Sequence, residues 1–216
     1  MTVDDLPTYR TRFGGLDIAY DATVLEPRGW TLAQSVVALD LEPALPPGAV
    51  LELCSGAGHI GLVVAAGCMR SLVQVDASPT ACDWARHNAA RAGLADRVAV
   101  RCADVASLSA EPARFALAIA DPPYVPSEET RWHPHDPVEA IDGGDDGLDV
   151  AKACLEALAS ALVPGGAAVV QARDHTQAVA HARWLPPGLA AKEVHTVEGG
   201  GALLIATRCG PGAELR

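Results

Sequence analysis

AVLELCSGAGHIGL, residues 49–62, decides the fold. Ala49 to Leu53 is a five-residue apolar run, too short for a helix and of ordinary length for a buried strand. Gly56-Ala57-Gly58-His59-Ile60-Gly61 follows at once and matches G-x-G-x-x-G. From His59 the pattern turns helical to about residue 68. A strand that breaks into a glycine turn and re-forms as a helix lets backbone approach a ligand closely. Asp76 closes the next apolar run, residues 71–75, and stands 20 positions after Gly56. An acid at that distance suits the hydroxyls of a ribose.

Outward from this unit, strand and helix patterns alternate. Residues 79–92 read as a helix, with Pro79 in its tolerated first turn and Gly93 at its end. Residues 97–102 form a third strand pattern. A fourth, residues 115–120, is closed by Asp121-Pro122-Pro123. A long polar loop to about Asp146 precedes a helix over residues 148–162, which Pro164-Gly165-Gly166 should stop. Residues 167–172 read as a fifth strand and residues 175–184 as a helix. Residues 192–197 and 202–208 flank Gly199-Gly200-Gly201, too close for a crossover helix, so they should pair as an antiparallel hairpin. Upstream, Thr31 is placed to cap a helix through Leu32, Val36, Val37 and Leu41, which Pro43, Pro46 and Pro47 end. The expected architecture is α/β: seven strands, mostly parallel, with helices on both faces and a C-terminal antiparallel hairpin. Residues 1–30 are mixed in character and read as an extension; residues 31–216 read as one domain.

Bulk composition narrows the function. The 216 residues carry 27 acids against 16 Lys+Arg, a formal charge of −11. Such a surface repels phosphate backbones and disfavours a large nucleic-acid footprint. It suits a small or neutral substrate, or a protein with a basic patch. No apolar run approaches the roughly 20 residues of a membrane span. The N-terminus lacks a basic start followed by an apolar stretch, so no secretory signal is expected. The six cysteines (54, 68, 82, 102, 154 and 209) form no C-x-x-C pair. They read as reduced thiols of a cytoplasmic protein, without a zinc site. His133-x-His135 has no further ligand nearby and reads as surface.

The glycine turn and Asp76 would serve a nicotinamide dinucleotide or S-adenosylmethionine, since both carry an adenosine. Glu52, at the end of the first strand, favours the second. A carboxylate repels a pyrophosphate, whereas a sulfonium with an ammonium group accommodates it. The terminal hairpin is likewise foreign to the six-strand nicotinamide fold. Asp104, after the third strand, is placed to accept from an adenine amino group. Asp121-Pro122-Pro123-Tyr124 then lies where a methyl acceptor would sit. An amide or aromatic amino nitrogen is a poor nucleophile because its lone pair is delocalised. A side-chain oxygen at position 121 and the Pro122 carbonyl can accept from both N–H groups and turn the lone pair toward the methyl. The two prolines preorganise the turn. Tyr124 can pack its ring on a planar acceptor. Trp132, in the long loop, can cap the pocket or pin the loop.

Four segments carry a family resemblance. They are Val24-Leu25-Glu26-Pro27-Arg28 with Thr31; Leu51 to Leu62; Ala120 to Pro126 (ADPPYVP); and Asp136-Pro137 to Ala140 followed by Gly143-Gly144-Asp145-Asp146-Gly147-Leu148-Asp149. In this order, over about Val24 to Val170, they resemble the HemK-like S-adenosylmethionine-dependent methyltransferases, which methylate a glutamine amide in release factors. The resemblance implies the class I methyltransferase (Rossmann-like) fold and catalytic roles for Asp121, Pro122 and Tyr124. It implies a cofactor site of Glu52, Cys54, Ser55, Gly56, Gly58, His59, Ile60, Asp76, Ala77, Asp104, Val105 and Asp121. Asp121 departs from that family's Asn, and Asp121-Pro122-Pro123-Tyr124 is similar to the motif of enzymes that methylate amino groups of nucleic-acid bases. Only about thirty residues precede the first helix, so the family's helical docking domain is not expected. The function expected is methyl transfer to an amide or amino nitrogen of a protein or small metabolite. The alternatives are a base amino group of ribosomal RNA, or a methyltransferase fold that no longer methylates and serves specialised metabolism.

Overall fold

Side chains along Ala49–Leu53 (β3) alternate between two faces of a sheet, and the core divides accordingly. Val50 packs with Leu62, Val64 and Trp84; Leu51 and Leu53 pack with Leu155 and Leu158 on the opposite side. The computed structural model describes residues 8–110 and 114–210. The opening residues 1–7, part of the expected extension and of the segment read as no signal, and the end of the expected domain, residues 211–216, lie outside the described residues.

β3 is the third strand of a seven-stranded sheet, with Leu72–Asp76 (β4) and Val98–Cys102 (β5) on one side of it. On its other side follow Phe115–Ala120 (β6), Leu162–Ala172 (β7), Ala202–Arg208 (β9) and Leu189–Thr196 (β8). The pairs from β5 through β7 are parallel, and β9 runs antiparallel to both β7 and β8. The chain therefore reverses its direction of travel at the β3–β6 boundary. In an open α/β sheet that boundary, at the carboxyl edge, is where a crevice forms. Helices Leu32–Leu41 (α1), His59–Gly67 (α2) and Pro79–Arg91 (α3) cover one face; Asp149–Ala161 (α5) and His175–Trp184 (α6) cover the other. This is the expected class I methyltransferase architecture, C-terminal hairpin included.

Four local features differ from the sequence reading. Residues 1–30 contain a β-hairpin, Tyr9–Phe13 (β1) and Leu16–Tyr20 (β2). It turns on Gly14-Gly15, whose φ values of 54° and 88° fit the mirror-image turns that match strand twist. Thr31 does not cap α1 by its side chain; its hydroxyl donates to the Arg28 carbonyl and closes a short 3-10 turn before the helix. Pro164-Gly165-Gly166 does not separate helix from strand, because β7 already begins at Leu162. Phe115 pairs with Leu162 and Leu117 with Ala167, so the Pro-Gly-Gly segment bulges from the ladder. The polar loop after β6 holds a 3-10 turn, Ser127–Trp132, and a short helix, Val138–Ile141 (α4).

Two side chains of α3 fasten the hairpin: Arg91 pairs with Asp17 of β2 near the surface, and Asn88 holds it in the core. Buried Asn88 accepts from the Ala19 N–H (2.9 Å) and donates to the carbonyls of Ala19 (2.8 Å) and Ala57 (2.9 Å). Asn88→Ala would strand three buried backbone groups. We expect a loss of about 3 kcal/mol, read as a lower urea midpoint at unchanged slope.

Candidate active site

Asp76 ends β4 and is tied back into the glycine turn. Its Oδ2 accepts from the Gly56 N–H (2.8 Å) and its Oδ1 from the Ser78 N–H (2.9 Å). Ser78 then caps α3, its hydroxyl accepting from the Ala81 N–H at 3.3 Å. Burial raises the Asp76 carboxyl above its ordinary range, against the opposing pull of these N–H groups. Cys54 leaves β3 with φ 56°, a left-handed conformation that costs a non-glycine residue energy and is held only where its surroundings impose it. Its sulfur lies 3.8 Å from that of Cys154 on α5, and this contact, with burial, pushes the Cys54 thiol upward.

Glu52 does not reach the cofactor edge. It shares the face of Val50 and passes beneath α2, where it is 2% exposed. Its Oε1 accepts from the Gly61 N–H (2.9 Å) and its Oε2 from Gln74 Nε2 (2.7 Å). Burial lifts its carboxyl to about 7 despite both bonds. Its position one residue before the strand end sends it under the helix instead of outward. Gln74, a polar residue inside the apolar run of β4, also holds the Gly58 carbonyl at 2.9 Å. Neither its role nor that of Glu52 as a clamp for the glycine turn follows from the motif. A methyl group on Gly61 would run into the Glu52 carboxylate. Gly61→Ala is therefore expected to destabilise the fold by about 2 kcal/mol and to weaken donor binding, as thermal unfolding and calorimetry would show.

The turn after β6 is fixed from three directions. Buried Gln34 on α1 donates to the carbonyls of Ala120 and Val169, both at 2.8 Å. Gln177 on α6 donates to the carbonyls of Tyr124 and Gly147, both at 3.1 Å. The glycine- and aspartate-rich loop lies directly against the turn: Gly143 N–H donates to the Val125 carbonyl at 2.8 Å, and Asp142 Oδ1 accepts from Ser127 Oγ at 2.7 Å. At Gly147, with φ 73°, a Cβ would sit 2.5 Å from the Tyr124 carbonyl. The two motifs are thus one packed unit, and glycine at 147 is what allows the contact.

A cavity of about 670 Å³ opens between the glycine turn, the Asp-Pro-Pro turn and α5, within the usual size of a small-molecule site. Its wall includes Cys54, Ser55, Gly56, His59, Ile60, Asp76, Ala77, Asp104, Val105 and Asp121. Gly58, Pro122, Tyr124 and Glu52 are not among its lining residues. Residues 23–26, Arg28, Glu139, Asp149, Val150 and Ala153 are among the further lining residues and escaped the sequence reading as site residues, apart from the segment around Arg28. Six carboxylates line the space (Glu26, Asp76, Asp104, Asp121, Glu139 and Asp149) against one guanidinium, Arg28. The buried Ser55 hydroxyl and His59 Nδ1 have no hydrogen-bond partner. Burial holds His59 neutral, its imidazole pushed down to about 3. Burial also lifts Asp121 to about 7, and among the described residues its carboxylate has no hydrogen-bond partner. Asp104 spends one oxygen on the Ala106 N–H (2.8 Å). Tyr124, raised by burial and by the charge of Asp121, senses Arg28 and Asp136 as well.

A pyrophosphate would meet strong repulsion in such a wall; a sulfonium with an ammonium group would not. The residues present therefore fit S-adenosylmethionine, on grounds that do not need Glu52.

Comparisons with known proteins agree with this geometry. A family model described as a methyltransferase domain matches residues 50–132. A release factor glutamine methyltransferase of Deinococcus radiodurans is 35% identical over 169 residues, covering 76% of this chain and 59% of that protein. A ribosomal protein uL3 glutamine methyltransferase of Francisella tularensis is 28% identical over 172 residues, 74% of this chain and 52% of that one. The chain thus spans a little over half the length of these relatives. Among solved structures, a ribosomal protein L11 methylase of Lactobacillus delbrueckii superposes with a TM-score of 0.64 at 16% identity, covering 88% of this chain and 84% of the other. That likeness concerns the fold alone.

Proposed function

From a class I methyltransferase domain related over three quarters of its length to glutamine methyltransferases, we propose that this chain binds S-adenosylmethionine and methylates the side-chain amide nitrogen of a glutamine in a protein. The observation that carries the reading is the acid-lined cavity joining Asp76 to Asp121. When bound, the donor supplies an electrophilic methyl on a cationic sulfur, which keeps the bonding pair and departs as a neutral thioether.

The chain's residues do the rest. Asp76 offers its carboxylate to the ribose hydroxyls. Asp104 has one oxygen free for the adenine amino group. Ser55 Oγ and His59 Nδ1 are further polar contacts awaiting a ligand. At the other end, Asp121 accepts from one amide N–H and the Pro122 carbonyl from the second, which turns the nitrogen lone pair toward the methyl. The amide nitrogen gains a carbon and must lose one proton. Asp121, lifted by burial, is a better proton acceptor than an ordinary carboxylate. Pro122 and Pro123, with the Gln34 and Gln177 anchors, hold this geometry before substrate arrives.

An amino-group acceptor on a nucleic-acid base gains from Asp121 and loses from the charge of −11. The deciding experiment supplies radiolabelled donor with purified release factor, ribosomal protein and ribosomal RNA in separate reactions. Label in a protein, released as N5-methylglutamine on digestion, supports the reading. Label only in RNA, or no uptake of donor by calorimetry, ends it.

A further inference from the structure

A second cavity, about 650 Å³, lies beside the first, between the N-terminal hairpin and residues 132–137. Val24, Glu26, Arg28 and Pro137 belong to both walls, so an occupant of one space touches the residues that bound the other. Asp21 lines this second cavity and is 2% exposed. Its Oδ1 accepts from the backbone N–H (2.8 Å) and the hydroxyl of Thr23, while its Oδ2 has no partner. A carboxyl oxygen buried without a donor is unfavourable, and Arg28, the one guanidinium among the described lining residues, is already engaged. Arg28 Nη2 lies 2.6 Å from Asp136, and its Nη1 lies 4.0 Å from Glu26. The Tyr20 hydroxyl donates to Glu26 at 3.0 Å. Aromatic surface flanks the acids: the rings of Tyr9 and Tyr20 are tilted by 36° with centroids 5.7 Å apart, and Trp132 is 63% exposed.

Carboxylates beside aromatic faces suit a guanidinium or ammonium group, which gains ion pairing from one and cation–π attraction from the other. A phosphate or carboxylate would face Asp21, Glu26 and Asp136 together, while Arg28 is held by Asp136 and only the imidazoles of His133 and His135 remain as further basic side chains of the described wall. We propose that this cavity binds a basic side chain, arginine or lysine, of the protein acceptor, with Asp21 as its counter-ion and Trp132 closing over it. It rests on the reading that the acceptor is a protein. The net charge of −11 favours approach of such a partner. The shared wall through Arg28 places the bound basic residue next to the one that is methylated.

The test uses blocked amino acids as probes: Nα-acetyl-arginine methylamide, its lysine counterpart and its neutral citrulline counterpart. Binding is followed by amide NMR shifts of Asp21 and Thr23. The arginine and lysine probes should shift these resonances, and citrulline should bind at least tenfold more weakly. Asp21→Asn, which keeps the shape and the Thr23 contacts, should weaken the arginine probe about tenfold, and Trp132→Ala several-fold without disturbing the hairpin. Equal binding of citrulline, or an unchanged affinity in Asp21→Asn, overturns the proposal. Tighter binding of spermidine than of either side-chain probe overturns its assignment to a protein residue. S-adenosylhomocysteine is titrated in parallel. No uptake of it removes the methyltransferase reading, whereas uptake without any arginine response removes this proposal alone.

Discussion

Asp121→Ala is expected to slow methyl transfer by about 10²–10³-fold while leaving donor affinity within about threefold, because a preorganised acceptor at the reacting nitrogen acts mainly in the transition state. The Asp121 carboxylate is aimed at the cavity and has no hydrogen-bond partner among the described residues, so its removal disturbs little else. Equal losses in rate and donor affinity would instead make it a cofactor contact. Burial also places its titration at about 7, and the ionised form is the one that accepts from the amide N–H and can take up its proton. Below that pH the rate should therefore fall, kcat/KM dropping about tenfold per unit, and above it the rate should level. Asp121→Asn accepts through its amide oxygen at every pH. Its profile should be flat across this range, which separates Asp121 from Glu52, whose carboxyl titrates near the same value but lies beneath α2.

Asp76→Ala should weaken binding of S-adenosylhomocysteine by about 100-fold, or about 2.7 kcal/mol, as measured by calorimetry. Two losses combine. The ribose hydroxyls lose their acceptor, and the N–H groups of Gly56 and Ser78 lose the carboxylate that sets the shape of the turn. A 2′,3′-dideoxy analogue separates them: against wild type it should bind far more weakly than S-adenosylhomocysteine, and against Asp76→Ala the two should bind nearly alike. An undiminished preference for the hydroxylated ligand in the variant would remove Asp76 from the ribose site.

The alternating strands and helices were legible because each buried strand is a short apolar run closed by glycine, proline or an acid. Asp76 and Asp121 were legible for the same reason: each sits where a strand stops, and a strand end at the carboxyl edge is a ligand position. Glu52 looks alike on that criterion and behaves otherwise, since it precedes the strand end and alternation turns it inward. The side chains that hold the site from behind, Gln34, Gln177 and Asn88, gave no motif. Their partners are backbone groups at sequence separations of 86, 53 and 69, and such pairings exist only after the chain has folded. Gln74 alone left a local trace, as a polar residue inside an apolar strand. The hairpin at Gly14-Gly15 had its turn signal, obscured by the mixed character of the residues around it.

Anyone wishing to retarget this scaffold must reckon with the seam between the Ala120–Pro126 strip and the loop from Gly143 to Asp149. A graft that exchanges only the tetrapeptide keeps the old loop, whose closeness at Gly147 was matched to the original carbonyl positions. It would also leave Gln177 with one foreign partner and one native one. Acceptor preference in this architecture is thus inherited as a block of distant segments, and a successful chimera must transplant strip, loop and the α6 glutamine together.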